Sequence, residues 1–169
     1  LYSFLHAATS AVRGYGDDTR AARGRLGAHL MPMREFRQEV NEKLDLLEMD
    51  AQFLRRYLNE GFSGGEKKRA EILQMALLQP RYSVLDEIDS GLDIDALRIV
   101  SESINRLQDQ MNMGLLVMTH YQRVLNYSHP DRGHIFLDGR IVKSGDAALV
   151  ELLEEHGYEW VRQELAAAR

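Results

Sequence analysis

Cysteine is missing altogether from the 169 residues, so no disulfide framework can form and no thiolate of this chain can hold zinc or an iron–sulfur cluster. No apolar run approaches the ~20 residues that a membrane-spanning helix needs. The opening Leu1-Tyr2-Ser3-Phe4-Leu5-His6 lacks the basic start of a secretory leader. These absences set the expectation of a cytoplasmic chain with no direct membrane insertion. Positive charge is not in excess either: 21 Lys and Arg stand against 26 Asp and Glu, a formal net charge of -5. Such a chain has no field to gather a polyanion, and any phosphate must be recognised at one local site. Tyr121, Tyr127, Tyr158 and Trp160 are not interleaved with basic residues as a stacking platform would be. Nucleic acid is therefore not an expected partner.

What is present is a composition that is 44% hydrophobic, enough for one globular domain in two subdomains. Residues 1–79 read as helical, with Phe36, Val40, Leu44 and Leu47 at helical spacing and charged residues between them. Within them the glycines, Asp17, Asp18, arginines and Pro32 of residues 14–34 interrupt the period and read as an exposed linker. From residue 80 to 169 short β-prone runs alternate with helices: Tyr82–Leu85, a helix from Asp93 to about Gln110, then Leu115–Thr119. That alternation implies an α/β layer with a parallel sheet. Asp138-Gly139, between Ile135-Phe136-Leu137 and Ile141-Val142, is a two-residue hairpin signal, and residues from Ala147 onward return to helix.

Four segments carry candidate chemistry. Ser63-Gly64-Gly65-Glu66 has the spacing of a capping box. A cap alone does not explain two glycines that cost a helix up to ~1 kcal/mol each; bare backbone at a helix N-terminus lets an anion such as phosphate approach unpaired N–H groups. Tyr82–Glu87 is a strand ending in adjacent carboxylates, Asp86 and Glu87. Neighbouring strand residues face opposite ways, so a turn directly after Asp86 would be needed to bring one carboxylate to a metal and the other to an attacking water. Asp89-Ser90-Gly91-Leu92-Asp93 reads as a turn with Asp93 capping the next helix. His120 follows a strand whose carboxyl end is where open α/β sheets bind ligands. The bland alternatives are an ordinary cap, a solvated strand end, a loop and a surface histidine.

In this order and spacing the segments resemble those of the ABC ATPases: a signature loop at Phe62–Glu66, a Walker B strand at Tyr82–Glu87, a D-loop at Ser90–Asp93 and a switch histidine at His120. From about Phe36 to Val161 the wording is similar to the SufC-type branch of that superfamily. It is carried by Asn59-Glu60-Gly61-Phe62-Ser63-Gly64-Gly65-Glu66-Lys67-Lys68-Arg69, Asp89–Ala96, Thr119-His120-Tyr121-Gln122-Arg123 and Gly139–Gly145. The resemblance implies an incomplete P-loop NTPase core with a mainly parallel sheet, residues 80–169, and a helical subdomain, residues 1–79. It implies ATP and Mg²⁺ as ligands. Asp86 would hold Mg²⁺ through water, Glu87 would be the general base and His120 would contact the γ-phosphate. Ser63, Gly64, Gly65 and Glu66, with Asp93 of the D-loop, would serve the ATP of a second subunit in a head-to-tail dimer. Partners implied are the SufB and SufD scaffold proteins of iron–sulfur cluster assembly, docked on exposed members of Tyr2, Phe4, Arg55, Arg56 and Tyr57. Two other readings stand beside this one: the ATPase of a membrane transporter, and a nucleotide-independent interaction module.

Three departures from the pattern matter. Ile88 stands where that branch has threonine, and Arg132-Gly133 stand where apolar residues would precede a strand, which could shorten it. Third, G-x-x-x-x-G-K-[ST] occurs nowhere and no Gly-Lys pair exists, so the backbone cradle, lysine and Mg²⁺-binding hydroxyl of a P-loop are missing. With the other segments intact, the expectation is of a fragment whose P-loop and Q-loop would precede Leu1, inactive by itself.

Overall fold

Phe36, Val40, Leu44 and Leu47 form one stripe, each at most 2% exposed, and they set the first helices against a common core. The computed structural model describes residues 1–15, 30–57, 60–119 and 130–167, together with Val124 and Tyr127. Residues 16–29 of the expected linker lie outside them. The chain divides into two compact units, Leu1–Met118 and Thr119–Arg169.

The first unit comprises α1 (Tyr2–Val12), α2 (Met33–Leu46), a 3₁₀ turn (Ala51–Arg55), α3 (Gly64–Leu78), β1 (Tyr82–Asp86), α4 (Ile94–Met111) and β2 (Gly114–Met118). Helix α3 starts at the Ser63 cap and ends at Gln79, which adopts a left-handed φ of 48°. Pro80 follows, and the residue before a proline is disfavoured in the helical region. The compositional change at Pro80 does not divide the unit in space, because α4 packs on α3. Leu73 and Leu77 of α3 and Val100 and Leu107 of α4 are fully buried with the α2 stripe, each contributing about 1.5–3 kcal/mol by leaving water.

Strands β1 and β2 pair in parallel, Tyr82 with Gly114 through Asp86 with Met118, and α4 is the crossover that a parallel pair requires. One face of this pair is open: Tyr82, Val84, Leu116 and Met118 are 80%, 64%, 51% and 43% exposed. Ile88, the first departure, is only 4% exposed and borders a hollow with Ile72 and Met75, so an apolar side chain suits the place.

The second unit holds β3 (Gly133–Leu137), β4 (Arg140–Gly145), α5 (Ala147–His156) and α6 (Glu159–Ala167). β3 and β4 form the expected antiparallel hairpin. Asp138 and Gly139 both take positive φ, 49° and 77°, the signature of the primed turn that matches strand twist. Ile135, Leu149 and Val161 make its core, flanked by Leu137, Val142, Leu153, Tyr158 and Trp160. β3 begins at Gly133 itself: a Cβ there would lie 2.6 Å from Val150 Cγ2, so the second departure has a packing reason at that residue. Parallel pairing among the described residues is confined to β1 and β2; the hairpin is a separate two-stranded sheet.

Candidate functional site

Ser63 opens α3 with both halves of a capping box. Its Oγ accepts the Glu66 N–H at 3.2 Å, and its own N–H donates to Glu66 Oε2 at 2.8 Å. The remaining carboxylate oxygen, Oε1, accepts from Arg56 Nη1 at 2.6 Å. The Ser63 hydrogen bond, and after it the Arg56 guanidinium, hold the Glu66 carboxyl below the usual glutamate range. Arg56 also donates to the Gly61 carbonyl, and its guanidinium lies 4.7 Å from the Phe62 ring and 5.7 Å from the Phe53 ring. The two rings stack on each other at 4.3 Å and are buried. The loop from Gly61 to Glu66 is thus bound from behind by one arginine, while Ser63 and Gly64 face solvent.

The paired glycines separate on inspection. A Cβ on Gly64 would sit 3.0 Å from the Gly91 carbonyl oxygen, whereas one on Gly65 would meet Leu92 and Ala96 at ordinary contact distances of 3.6 and 3.8 Å. Gly64 therefore has an intramolecular reason to be glycine: the backbone at Gly91 closes against the start of α3. Among the described residues no close contact requires the second glycine, and its lack of a side chain leaves the backbone of the first turn more accessible.

Asp86 ends β1, and the chain turns at once. Glu87 has a left-handed φ of 47°, and its N–H donates to the Met118 carbonyl at 2.9 Å. Both side chains are exposed, at the carboxyl edge of the parallel pair. This is the turn that two neighbouring carboxylates need in order to serve one site. Ser90 N–H bonds the Glu87 carbonyl at 3.1 Å, leading into Gly91 and Leu92. Asp93 Oδ1 then accepts the Ala96 N–H at 2.8 Å and caps α4. His120 and Tyr121-Gln122-Arg123 lie outside the described residues; Thr119, which precedes them, directly follows the strand end opposite Asp86.

The donor chemistry suits a magnesium nucleotide in part. Mg²⁺ keeps several waters and is held by one or two carboxylates plus substrate phosphates, and exposed Asp86 beside Glu87 offers that much. No group of three potential metal ligands exists among the described residues. Among the described residues no helix is long and apolar enough to cross a membrane.

Of the expected docking residues, Phe4, Arg55 and Tyr57 are exposed. Tyr2 is half-buried, edge-on to Phe36 at 5.1 Å. Arg56 is partly exposed and engaged by Glu66, the Gly61 carbonyl and the two rings as described. The sequence reading missed both Arg56 as the brace of the loop and the closure of Gly91 on Gly64. The first had a faint signal, an arginine a few residues ahead of a capping box; the second joins two loops far apart in the chain and had none.

No family model matches the chain. It is 49% identical over 162 residues to Vegetative protein 296 of Bacillus subtilis (strain 168), covering 96% of this chain and 57% of that protein. It is 51% identical to a probable ABC transporter ATP-binding protein of Streptococcus pyogenes serotype M3, over 84% of this chain and 55% of that one. To a probable ATP-dependent transporter of Synechocystis sp. it is 55% identical, over 87% and 57%. The chain spans little more than half the length of these curated relatives. Among solved structures, MJ1267, an ATP-binding cassette of an ABC transporter, matches with TM-score 0.62 at 21% identity over 78% of this chain and 51% of that one. The dimeric bacterial ABC transporter cassette MJ0796 matches with TM-score 0.61 at 20% identity, over 83% and 56%. The fold is that of these α/β cassettes.

Proposed function

We propose, with relatives and solved structures together supporting the ABC ATPase family, that this chain is the signature and Walker B portion of an ATP-hydrolysing subunit. The observation that carries the reading is the turn at Glu87. At this turn Asp86 would hold Mg²⁺ through water, and Glu87 would orient and deprotonate the water that attacks the γ-phosphate. The ion, when bound, neutralises charge developing on the phosphate oxygens. By the family resemblance His120 would contact the γ-phosphate, and Ser63, Gly64 and Gly65 would offer first-turn N–H groups of α3 to the nucleotide of a second subunit, head to tail. Asp93 fixes the loop beside them, and Glu66 acts by closing the cap. This sequence carries no P-loop cradle for the phosphates, and the chain by itself should not turn over Mg-ATP.

The finer reading is a SufC-type subunit that passes the nucleotide-driven motion to SufB and SufD in iron–sulfur cluster assembly. The wording of the signature and D-loop segments supports it, and Arg55 and Tyr57 are the exposed anchors it would use. The names of the streptococcal and cyanobacterial relatives favour a second reading, the ATPase of a membrane transporter. Purification of the full-length protein decides between them: recovery with the two scaffold proteins is expected, and recovery with a membrane fraction would reverse the choice.

The catalytic assignment is tested by Glu87→Gln in the full-length protein. Hydrolysis should slow by ~10²–10⁴-fold, the usual contribution of a positioned general base, with Mg-ATP binding kept. Loss of binding together with hydrolysis would make Glu87 structural.

A further inference from the structure

We infer that Arg56 is the positioning residue of the signature loop: by gripping Glu66 and the Gly61 carbonyl at once, it sets the direction in which Ser63, Gly64 and Gly65 meet a partner subunit's nucleotide. The inference rests on the proposed function and adds a residue to it that touches neither phosphate nor metal.

An arginine–glutamate pair at 37% and 30% side-chain exposure would ordinarily do little, because solvent screens it and two long side chains must be ordered to make it. Three features distinguish this one. The guanidinium is already ordered by the Phe62 and Phe53 rings beneath it, so little freedom is lost on pairing. Its planar fork reaches two acceptors on different parts of the loop, the Gly61 carbonyl and Glu66 Oε1, which an ammonium on a flexible stem does not reproduce. And the other oxygen of the same carboxylate takes the Ser63 N–H. A continuous chain of contacts therefore runs from the end of the 3₁₀ turn, where Arg56 sits, to the first residue of the cap. Removing the guanidinium frees Glu66 to rotate and the Gly61 carbonyl to turn, and the N–H groups past Ser63 lose their fixed aim. Preorganised donors matter for a ligand carrying several charges, since small misplacements are costly.

The experiment uses the full-length protein with Arg56→Met, Arg56→Lys, Glu66→Gln and the Met/Gln double variant. Mg-ATP affinity of the single subunit, ATP-driven dimerisation by sedimentation, and kcat and KM are measured. Arg56→Met should raise the subunit concentration needed for dimerisation, and lower turnover, by about tenfold, the scale of one lost charge-assisted hydrogen bond. Single-subunit Mg-ATP affinity should stay within about twofold. Arg56→Lys should fall between, and the double variant should be no worse than Arg56→Met, because both changes cut one linkage. Mixing Arg56→Met subunits with Glu87→Gln subunits should recover hydrolysis, since one composite site then has an intact loop and an intact Glu87; a misfolded variant could not do this. Wild-type dimerisation and turnover in Arg56→Met, an equal fall in single-subunit affinity, or failure of the mixture would each overturn the inference. A wild-type protein that does not dimerise on ATP would overturn the reading beneath it, a result visible without any Arg56 variant.

Discussion

A β-carbon at position 64 would press on the Gly91 carbonyl at 3.0 Å, while one at 65 would rest against Leu92 and Ala96 at normal distances. The two glycines should therefore answer differently to alanine. Gly65→Ala should stabilise the chain by a few tenths to ~1 kcal/mol through helix propensity; Gly64→Ala should gain less or lose, because backbone at Gly91 has to move. Urea denaturation of the two variants checks the order, and a greater gain at 64 would mean the Gly91 loop yields freely. If the chain would be more stable with alanine at 65, its glycine is not there for the fold, which is the residue-level support for an anion approaching that backbone.

At the scale of elements, α3 depends on one carboxylate at its start. The Ser63 N–H and then Arg56 depress the Glu66 pKa from its ordinary 4.5. A depressed folded-state pKa contributes stability that is complete above the ordinary value and is lost as pH falls through the lower, folded one. The cap of α3 should accordingly weaken as pH falls below the ordinary glutamate range, and Glu66→Gln should remove that pH dependence. Amide resonances of Ser63 to Lys67 followed over pH would show it; an unchanged first turn down to the unfolding pH would reject the linkage. What the sequence disclosed at this scale was local: the capping box, the Asp93 cap, the Asp138-Gly139 turn and the α2 stripe all lie within a few residues or one periodic run. The brace from Arg56 and the closure of Gly91 on Gly64 depend on how the 3₁₀ turn and the loop after Glu87 come to rest in space, and no spacing encodes that. The turn at Glu87 was legible only as a requirement, since two neighbouring carboxylates could not share a site without it.

For the whole molecule, the open face of β1 and β2 is the main liability. Val84 and Leu116 are register partners and both more than half exposed, with Tyr82 and Met118 beside them, and an apolar sheet face of this kind marks an interaction or aggregation site. The chain alone should self-associate at micromolar concentration. Val84→Thr with Leu116→Thr should shift it toward monomer with little change in melting temperature, because threonine keeps the strand propensity and neither side chain is in the core. Sedimentation of both proteins decides it, and a monomeric parent chain would refute the expectation. Helix α3, by contrast, is held at both ends over a length of about 22 Å at 1.5 Å per residue. Arg56 grips its first turn, and Arg13 reaches its last, donating to the Leu77 carbonyl at 3.3 Å and to Glu39 at 2.8 Å, with Gln79 on the same carboxylate. A guanidinium thus ties each end of the helix to neighbouring backbone and carboxylate, which restrains both terminal turns. Held at both ends, the helix should respond as one body, so that a displacement imposed at Gly64 is expected to reach Gln79 with the whole helix.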